Sequence, residues 1–146
     1  MKALKQFPVF GEAVEVMATT KATGGSFAML VQTSPPGGGP PPHVHANEDE
    51  IFQVLEGEYE MFDGERWNKV PKGEHVYTLR GQVHTFRNCG RTDGKMLCIA
   101  TPGGLDEYLE EISVLQVPQD MERLMAISER YGIRFITPEP PIAAPV

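Results

Sequence analysis

Three of the four histidines in this chain lie in a pattern that could bind a metal ion. His43 and His45 are separated by one residue, Glu50 follows five positions later, and His84 lies at the far end of a strand-rich stretch. Side chains two apart on an extended strand project from the same face, so His43 and His45 can both point at one ion. Three neutral imidazoles and one carboxylate suit a first-row divalent ion: iron, manganese, nickel, cobalt, copper or zinc. The pattern therefore predicts one such ion per chain.

Four protein ligands leave positions open on an octahedral ion for water, substrate or dioxygen, so the predicted site could be catalytic. The alternative is that the histidines lie on a polar strand surface and that Glu50 is a solvated charge. The surroundings favour the metal site, because a Gly-Pro run at 37–42 leads into His43 and Glu50 opens an apolar run, 51–55, that closes at Gly57.

Length and composition predict one domain over residues 1–146, since 40% hydrophobic and 23% charged residues are ordinary values for a globular chain of this size. A net charge of −7 without a basic cluster argues against nucleic acid and anionic membranes as partners. No segment has the apolar length of a membrane span or signal peptide, so we expect a cytoplasmic protein that binds small molecules. Cys89 and Cys98 are expected to be free, buried thiols.

The first two thirds of the chain predict many short strands separated by turns. Strands are expected at 13–19, 26–33, 58–62, 65–70, 75–79, 83–87 and 95–101. Asp63-Gly64 predicts a hairpin, because glycine adopts the positive φ that tight hairpin turns need. The Gly-Pro-rich segment 34–42 is expected to form a rim loop beside the site, with a disordered linker as the alternative. Many short strands with regular turns predict a barrel or a sandwich.

After residue 105 the apolar period changes to that of helices, which are expected at 106–112 and 119–131, with Gly132 ending the second. The second helix carries an apolar stripe of Met121, Leu124, Met125 and Ile127. This stripe is expected to pack on the barrel exterior or on a neighbouring subunit, and a partner-binding groove is the alternative. The tail, 137–146, contains four prolines and is expected to be extended or loose.

The chain resembles the cupin superfamily at two motifs. The first superfamily motif is a Gly, five residues, His-x-His, three or four residues, Glu, six residues and Gly. Its places are filled by Gly37, His43, His45, Glu50 and Gly57. The second motif is a Gly, five residues, Pro-x-Gly, two residues, His, three residues and Asn, and it is matched by Gly73, Leu79, Gly81, His84 and Asn88. Leu79 stands where the motif has its turn-forming proline, which affects the local bend and leaves the ligand position unchanged.

The resemblance implies a small all-β fold, a double-stranded β-helix (jelly-roll, RmlC-like) barrel over about 13–101, with a C-terminal helical segment at about 106–132. The resemblance also implies that the metal lies inside the barrel, bound by His43, His45, Glu50 and His84. A homodimer is the assembly that it suggests, because barrel edges and an added apolar helix are commonly covered by a second copy.

Strand alternation identifies candidate pocket residues. If Glu50 faces inward, so do Phe52 and Val54, and Phe86 shares a face with His84. These side chains would form an apolar wall for an aromatic or aliphatic substrate, or they would simply fill the barrel. Tyr77 is a further, speculative pocket candidate. His75 has no place in either motif and is expected to be a strand residue near a turn, with a position behind the metal ligands as the alternative.

Within the superfamily, three segments resemble quercetin-dioxygenase-type cupins: Pro-Pro-His-Val-His at 41–45, Asp-Glu-Ile-Phe-Gln-Val-Leu-Glu-Gly at 49–57, and Thr-Pro-Gly-Gly at 101–104 before an acidic helix. The resemblance implies a metal-dependent dioxygenase of a small aromatic or enolisable substrate, in which Glu50 is catalytic and takes a proton from a bound hydroxyl. One alternative is a metal-dependent lyase or isomerase in which Glu50 or Tyr77 moves a proton without O2. The other is a cupin that binds a small molecule without catalysis.

Overall fold

The structure, a computed structural model, describes residues 2–136, and the predicted loose tail at 137–146 lies outside them. This part of the chain forms eleven strands and two helices. The strands are β1 (Lys5–Val9), β2 (Glu12–Ala18), β3 (Ala28–Ser34), β4 (His43–His45), β5 (Asp49–Glu56), β6 (Tyr59–Phe62), β7 (Trp67–Val70), β8 (His75–Thr78), β9 (Thr85–Asn88), β10 (Gly94–Thr101) and β11 (Ile133–Phe135). The helices are α1 (Leu105–Ile112) and α2 (Met121–Arg130). The predicted all-β class with C-terminal helices is confirmed.

The strands pair antiparallel in a six-stranded sheet with the order β1-β2-β3-β10-β5-β8, a three-stranded sheet β7-β6-β9 and a pair β11-β4. A backbone bridge between His43 and His84 links β4 to the residues before β9. Alternate residues of β2, β3, β5 and β10 are buried, so one face of the large sheet supplies most of the core. β3, β10 and β5 are neighbours in the large sheet although β10 is far from the other two in sequence. This is the jelly-roll arrangement that the cupin resemblance implied.

The predicted hairpin is confirmed. β6 and β7 pair with Phe62 opposite Trp67. The Asp63 side chain holds the turn, since its Oδ1 accepts hydrogen bonds from the backbone N–H groups of Glu65 and Arg66, each at 2.9 Å. The connection is thus four residues long, and the aspartate stabilises it by capping two backbone donors.

Two strands, β1 and β11, were not predicted. Among the strands of residues 2–136, β1 pairs only with β2 and is therefore an edge strand. It contains Pro8, which an edge strand tolerates but which in a sequence pattern indicates the end of a strand. β11 pairs with β4, with Ile133 opposite His45 and Phe135 opposite His43. It has three residues directly after a helix, too few for the alternation to be recognised.

Both helices begin and end within two residues of their predicted bounds, and Gly132 adopts the expected positive φ of 72° after α2. The four side chains of the apolar stripe of α2 differ in burial. Leu124 is buried and Ile127 packs against the core. Met121 and Met125 remain 42% and 46% exposed. Two of the four side chains therefore pack on this chain, where α2 contacts α1 and β11.

The two cysteines are free, as expected, and differ in exposure. Cys98 is buried in β10. Cys89 is exposed, contrary to the expectation that both are buried, because it directly follows β9, where the chain leaves the sheet. Among the described helices none is long and apolar enough to cross a membrane.

The rim loop before β4 is held against β9 by backbone contacts. The N–H of Gly37 donates to Asn88 O at 2.8 Å, and the N–H of Asn88 donates to Gly38 O at 2.9 Å. A Cβ atom at Gly39 would lie only 1.9 Å from Phe86 O. The loop that leads into the histidine strand thus requires a residue without a side chain at position 39, because backbone approaches backbone there.

Gly39→Ala is expected to lower the free energy of unfolding by about 2–4 kcal/mol, because the loop must move away from β9 to admit the methyl group. Chemical denaturation measures this loss. Gly90→Ala is the matched control, since a Cβ at that position meets its nearest heavy atoms at 3.3 Å, and a change of less than about 1 kcal/mol is expected there. Equal stability of Gly39→Ala and the unmodified protein would contradict the close contact of loop and strand.

Candidate metal centre

The four predicted ligands converge at one end of the barrel interior. One ligand atom from each of His43, His45, Glu50 and His84 lies within 4.8 Å of the other three. The first two belong to β4, Glu50 to β5, and His84 to the segment just before β9. The fold therefore brings together residues from three segments that are separate in the sequence, as the two motifs predicted.

Hydrogen bonds at Nδ1 orient all three imidazoles. The Nδ1 atoms of His43, His45 and His84 lie 2.7, 3.2 and 3.1 Å from Pro41 O, Glu48 Oε2 and Gln82 O, respectively. An Nδ1–H that donates to an oxygen fixes the tautomer whose Nε2 carries a lone pair. Each ring thus presents Nε2 as its free donor atom for a metal, and the backbone or a carboxylate holds its orientation.

Two atoms of the centre lack a hydrogen bond. Glu50 Oε2 and His84 Nε2 are buried and unpartnered, although they lie 2.7 Å apart, and His45 Nε2 is 3.5 Å from the same oxygen. An unpartnered buried polar atom costs about 1–3 kcal/mol. Lone pairs that face a shared point, with no donor between them, fit a bound cation, so the donor set and its geometry suit a divalent ion.

The protonation states of His43 and Glu50 suit coordination, whereas the raised pKa of His45 means that metal binding at this ring would displace a proton. Burial, and after it the neighbouring His84 and His45, lower the pKa of His43 to about 3, so this imidazole is neutral at pH 7. Burial raises the pKa of Glu50, but the three histidines outweigh burial and hold the pKa at about 2. At His45 burial lowers the pKa, yet the carboxylates of Glu50 and Glu48 outweigh it and raise the pKa. The centre therefore places an ionised carboxylate directly beside the imidazoles.

The centre opens into a cavity of about 50 Å³ whose wall is mostly apolar. Phe52 and Phe86, both predicted as pocket residues, line it. Phe135 of β11 closes it beside the metal ligands, with its ring 6.4 Å from that of His43, and Phe10 packs edge-on against Phe135 at 5.9 Å. Aromatic side chains from both ends of the described chain therefore complete the wall.

Val54 and Tyr77, also predicted as pocket residues, do not line this cavity. Val54 faces inward as predicted, but it is fully buried in the core and outside the cavity lining. Tyr77 lies on the outer face of β8, 54% exposed, opposite the outward-facing Ile51 of β5. Its hydroxyl contacts Asp49 Oδ2 at 3.3 Å. The pairing of β5 with β8 decides this orientation, and strand alternation alone could not.

Sequence reasoning missed one residue of the centre, Glu48, which is 5% exposed and accepts the hydrogen bond of His45. Its signal was an acidic residue three positions after a ligand histidine, which suggests a carboxylate that orients the ring. His75 is an exposed residue of β8 and lies outside the ligand cluster, in agreement with its expected role. Cys98 does border the centre, with Sγ 3.6 Å from Glu50 Oε1.

Comparison with known proteins agrees with the fold and the site. Residues 30–100 match the family model described as "Cupin_2: Cupin domain". The chain is 32% identical over 65 residues to an oxalate-binding protein of Thermotoga maritima, an alignment that covers 44% of this chain and 54% of that protein. The chain spans only 60% and 54% of the lengths of the two curated relatives that it matches.

Solved structures share the architecture. A predicted oxalate decarboxylase from Thermotoga maritima superposes with a TM-score of 0.60 at 24% identity, covering 62% of this chain and 80% of that one. An oxalate oxidase gives a TM-score of 0.55 at 28% identity, covering 66% of this chain and 55% of that one. Both motifs are filled, residues 30–100 match a cupin domain in sequence, and the jelly-roll fold in which the predicted ligands converge agrees with that match.

Proposed function

We propose that this protein is a metal-dependent dioxygenase that acts on a small, enolisable substrate. The observation that carries the proposal is the convergence of three imidazoles and Glu50 on one buried point that opens into an apolar cavity. His43, His45, Glu50 and His84 would hold one divalent ion. When bound, the ion supplies Lewis acidity and, for a redox-active metal, electron transfer.

The protein's own residues then have separate tasks. The Glu50 carboxylate is ionised, which is the form that accepts a hydrogen bond from an enolic hydroxyl at the centre. The pKa of that hydroxyl would fall beside a bound ion, which favours transfer of its proton to Glu50. The aromatic side chains of Phe52, Phe86 and Phe135 exclude water from the cavity and strengthen the electrostatic interactions inside it. The hydrogen bonds at Nδ1 keep the imidazoles in place, so the open side of the centre always faces the cavity.

The cavity limits the size of the substrate. A volume of about 50 Å³ holds on the order of three water molecules. A three-ring flavonol, which the quercetinase resemblance implied, is larger than this space and would have to extend out of the cavity toward the solvent. The proposed substrate is therefore a small oxygen-bearing molecule that can chelate the ion through adjacent oxygens.

The second candidate is a protein that uses the same metal centre without O2, as a lyase or isomerase of a small carboxylate or as a binder of one. The small cavity favours it, as do the relatives whose names refer to oxalate. Glu50 would then move the proton, or in a binder only hold the ion. Tyr77 has no part in either candidate, because its side chain lies outside the barrel.

Oxygen uptake separates the candidates. The protein is loaded with iron, manganese, nickel, cobalt or copper, its metal content is measured, and oxygen consumption is followed with small 1,3-dicarbonyl compounds. One ion per chain with metal-dependent uptake supports the dioxygenase. One ion without uptake overturns it in favour of the second candidate, and the absence of binding for every ion contradicts both.

His84→Ala is expected to lower metal affinity by more than about 100-fold, because it removes a donor atom from the centre rather than an orienting contact. Competition with a coloured chelator measures this. His75→Ala is the matched control, since it removes an exposed histidine outside the cluster and should leave the affinity unchanged. Equal affinities of the two variants would remove His84 from the site.

Glu48→Ala is expected to weaken metal binding about 10- to 100-fold, because His45 loses the carboxylate that fixes its tautomer and orientation. Glu48→Gln should recover part of the affinity, since the amide oxygen still accepts the Nδ1–H hydrogen bond but carries no charge. The same chelator competition tests both variants. An affinity of Glu48→Ala equal to that of the unmodified protein would show that Glu48 is only a buried structural carboxylate.

A further inference from the structure

The cavity has a second polar region, formed by Glu12 and Gln32. Glu12 opens β2 and faces inward, in phase with the buried Val14 and Val16. Gln32 lies opposite Val14 on the neighbouring strand β3. Both residues line the same cavity as His43, His45 and Glu50, and neither belongs to the ligand cluster. One cavity therefore connects the metal centre with a glutamate and a glutamine on the large sheet.

These side chains have buried oxygens without partners. Glu12 is 4% exposed. Both of its carboxylate oxygens and Gln32 Oε1 are buried with no hydrogen bond. Apolar side chains of Val9, Phe10 and Leu105 share the cavity wall with them. Desolvating a carboxylate beside such a wall is unfavourable, so the fold keeps an expensive group where an apolar residue would pack better.

The nearest polar group only partly relieves Glu12. Ser34 Oγ accepts a hydrogen bond from Tyr59 Oη at 2.9 Å, so its own hydroxyl hydrogen is free to turn toward Glu12, and this weak contact lowers the pKa of Glu12. Burial is the larger effect and raises that pKa to about 7. Near neutral pH, both the neutral and the ionised forms of the carboxyl group are then present. A neutral carboxyl can both donate and accept a hydrogen bond, as a hydroxyl group can.

The chemistry of the three oxygens indicates what they bind. A second cation would need about six oxygen ligands, and two side chains cannot supply them. An ammonium group would have to be desolvated beside the apolar wall with at most one charge to pair with it. A hydroxyl group fits, because it donates to one oxygen, accepts from the neutral carboxyl and brings no charge into the cavity.

We propose that Glu12 and Gln32 determine substrate specificity by binding a hydroxyl group at one end of a small hydroxy acid whose carboxylate lies at the metal centre. This inference rests on the proposed function, since the metal centre must hold the other end of the molecule. Among the substrates of that function it selects those that carry a hydroxyl group remote from the oxygens that chelate the ion, and simple hydroxy acids serve as binding probes for this contact.

The test compares matched ligands on metal-loaded protein. Isothermal titration measures the binding of 3-hydroxypropionate, 4-hydroxybutyrate and 5-hydroxyvalerate against propionate, butyrate and valerate. We expect at least one hydroxy acid to bind about tenfold or more tightly than its partner, because a site with buried acceptors discriminates against a ligand that leaves them unpaired. The absence of any hydroxyl preference would overturn the proposal.

Variants identify the residues responsible. Glu12→Leu and Gln32→Leu, singly and together, should reduce the preference to less than about twofold, without weakening the unhydroxylated acid or the metal content. Leucine suits the apolar wall, and circular dichroism checks that each variant folds. Glu15→Leu is the control, because Glu15 lies on the opposite face of β2, and it should retain the preference. A preference that survives in the double variant also overturns the proposal.

This result is independent of turnover. A hydroxyl preference that the variants abolish, without oxygen uptake or other turnover, would support the subsite while the proposed enzyme function fails. Metal-dependent oxygen uptake by the unmodified protein without any hydroxyl preference would support the enzyme function and overturn the subsite.

Discussion

The structure depends on placing an ionised carboxylate inside a barrel, among three imidazoles, two of which direct Nε2 at the same carboxylate oxygen. Glu50 is 3% exposed, and its pKa is held at about 2 by the histidines despite its burial. Such a group is tolerated only where cationic charge is close. A divalent ion would supply that charge, and the Nδ1 hydrogen bonds keep the three rings directed at the same point.

The histidine strand is fixed on both sides, which explains the role of the elements beyond the predicted barrel. On one side β11 pairs with β4, and on the other His43 forms a backbone bridge with His84. β11 directly follows α2, so the helical segment positions the metal ligands indirectly, through Ile133 and Phe135. Phe135 also closes the cavity. The C-terminal elements are therefore part of the site and more than a cover for the barrel exterior.

The sequence predicted features that local spacing determines and missed those that depend on strand pairing. His43 and His45 share a face because they are two apart, and Asp63 and Gly64 form a turn whatever surrounds them. The inward face of β5 could be assigned because Glu50 anchored it. β8 had no such anchor, and only its register with β5, which places Tyr77 opposite Ile51, shows that Tyr77 points outward. The cavity volume follows from packing that no local pattern encodes.

Within residues 2–136, every buried side-chain oxygen or nitrogen without a partner belongs to one of four residues. They are Glu12, Gln32, Glu50 and His84. Elsewhere in the described core, buried polar side chains such as Asn88 and Ser128 are hydrogen-bonded. If the unpartnered atoms only reflected imperfect packing, they would be scattered through the core. They instead occur at the metal centre and in the cavity that opens from it, where a bound ion would satisfy Glu50 and His84 and a ligand hydroxyl group would satisfy Glu12 and Gln32.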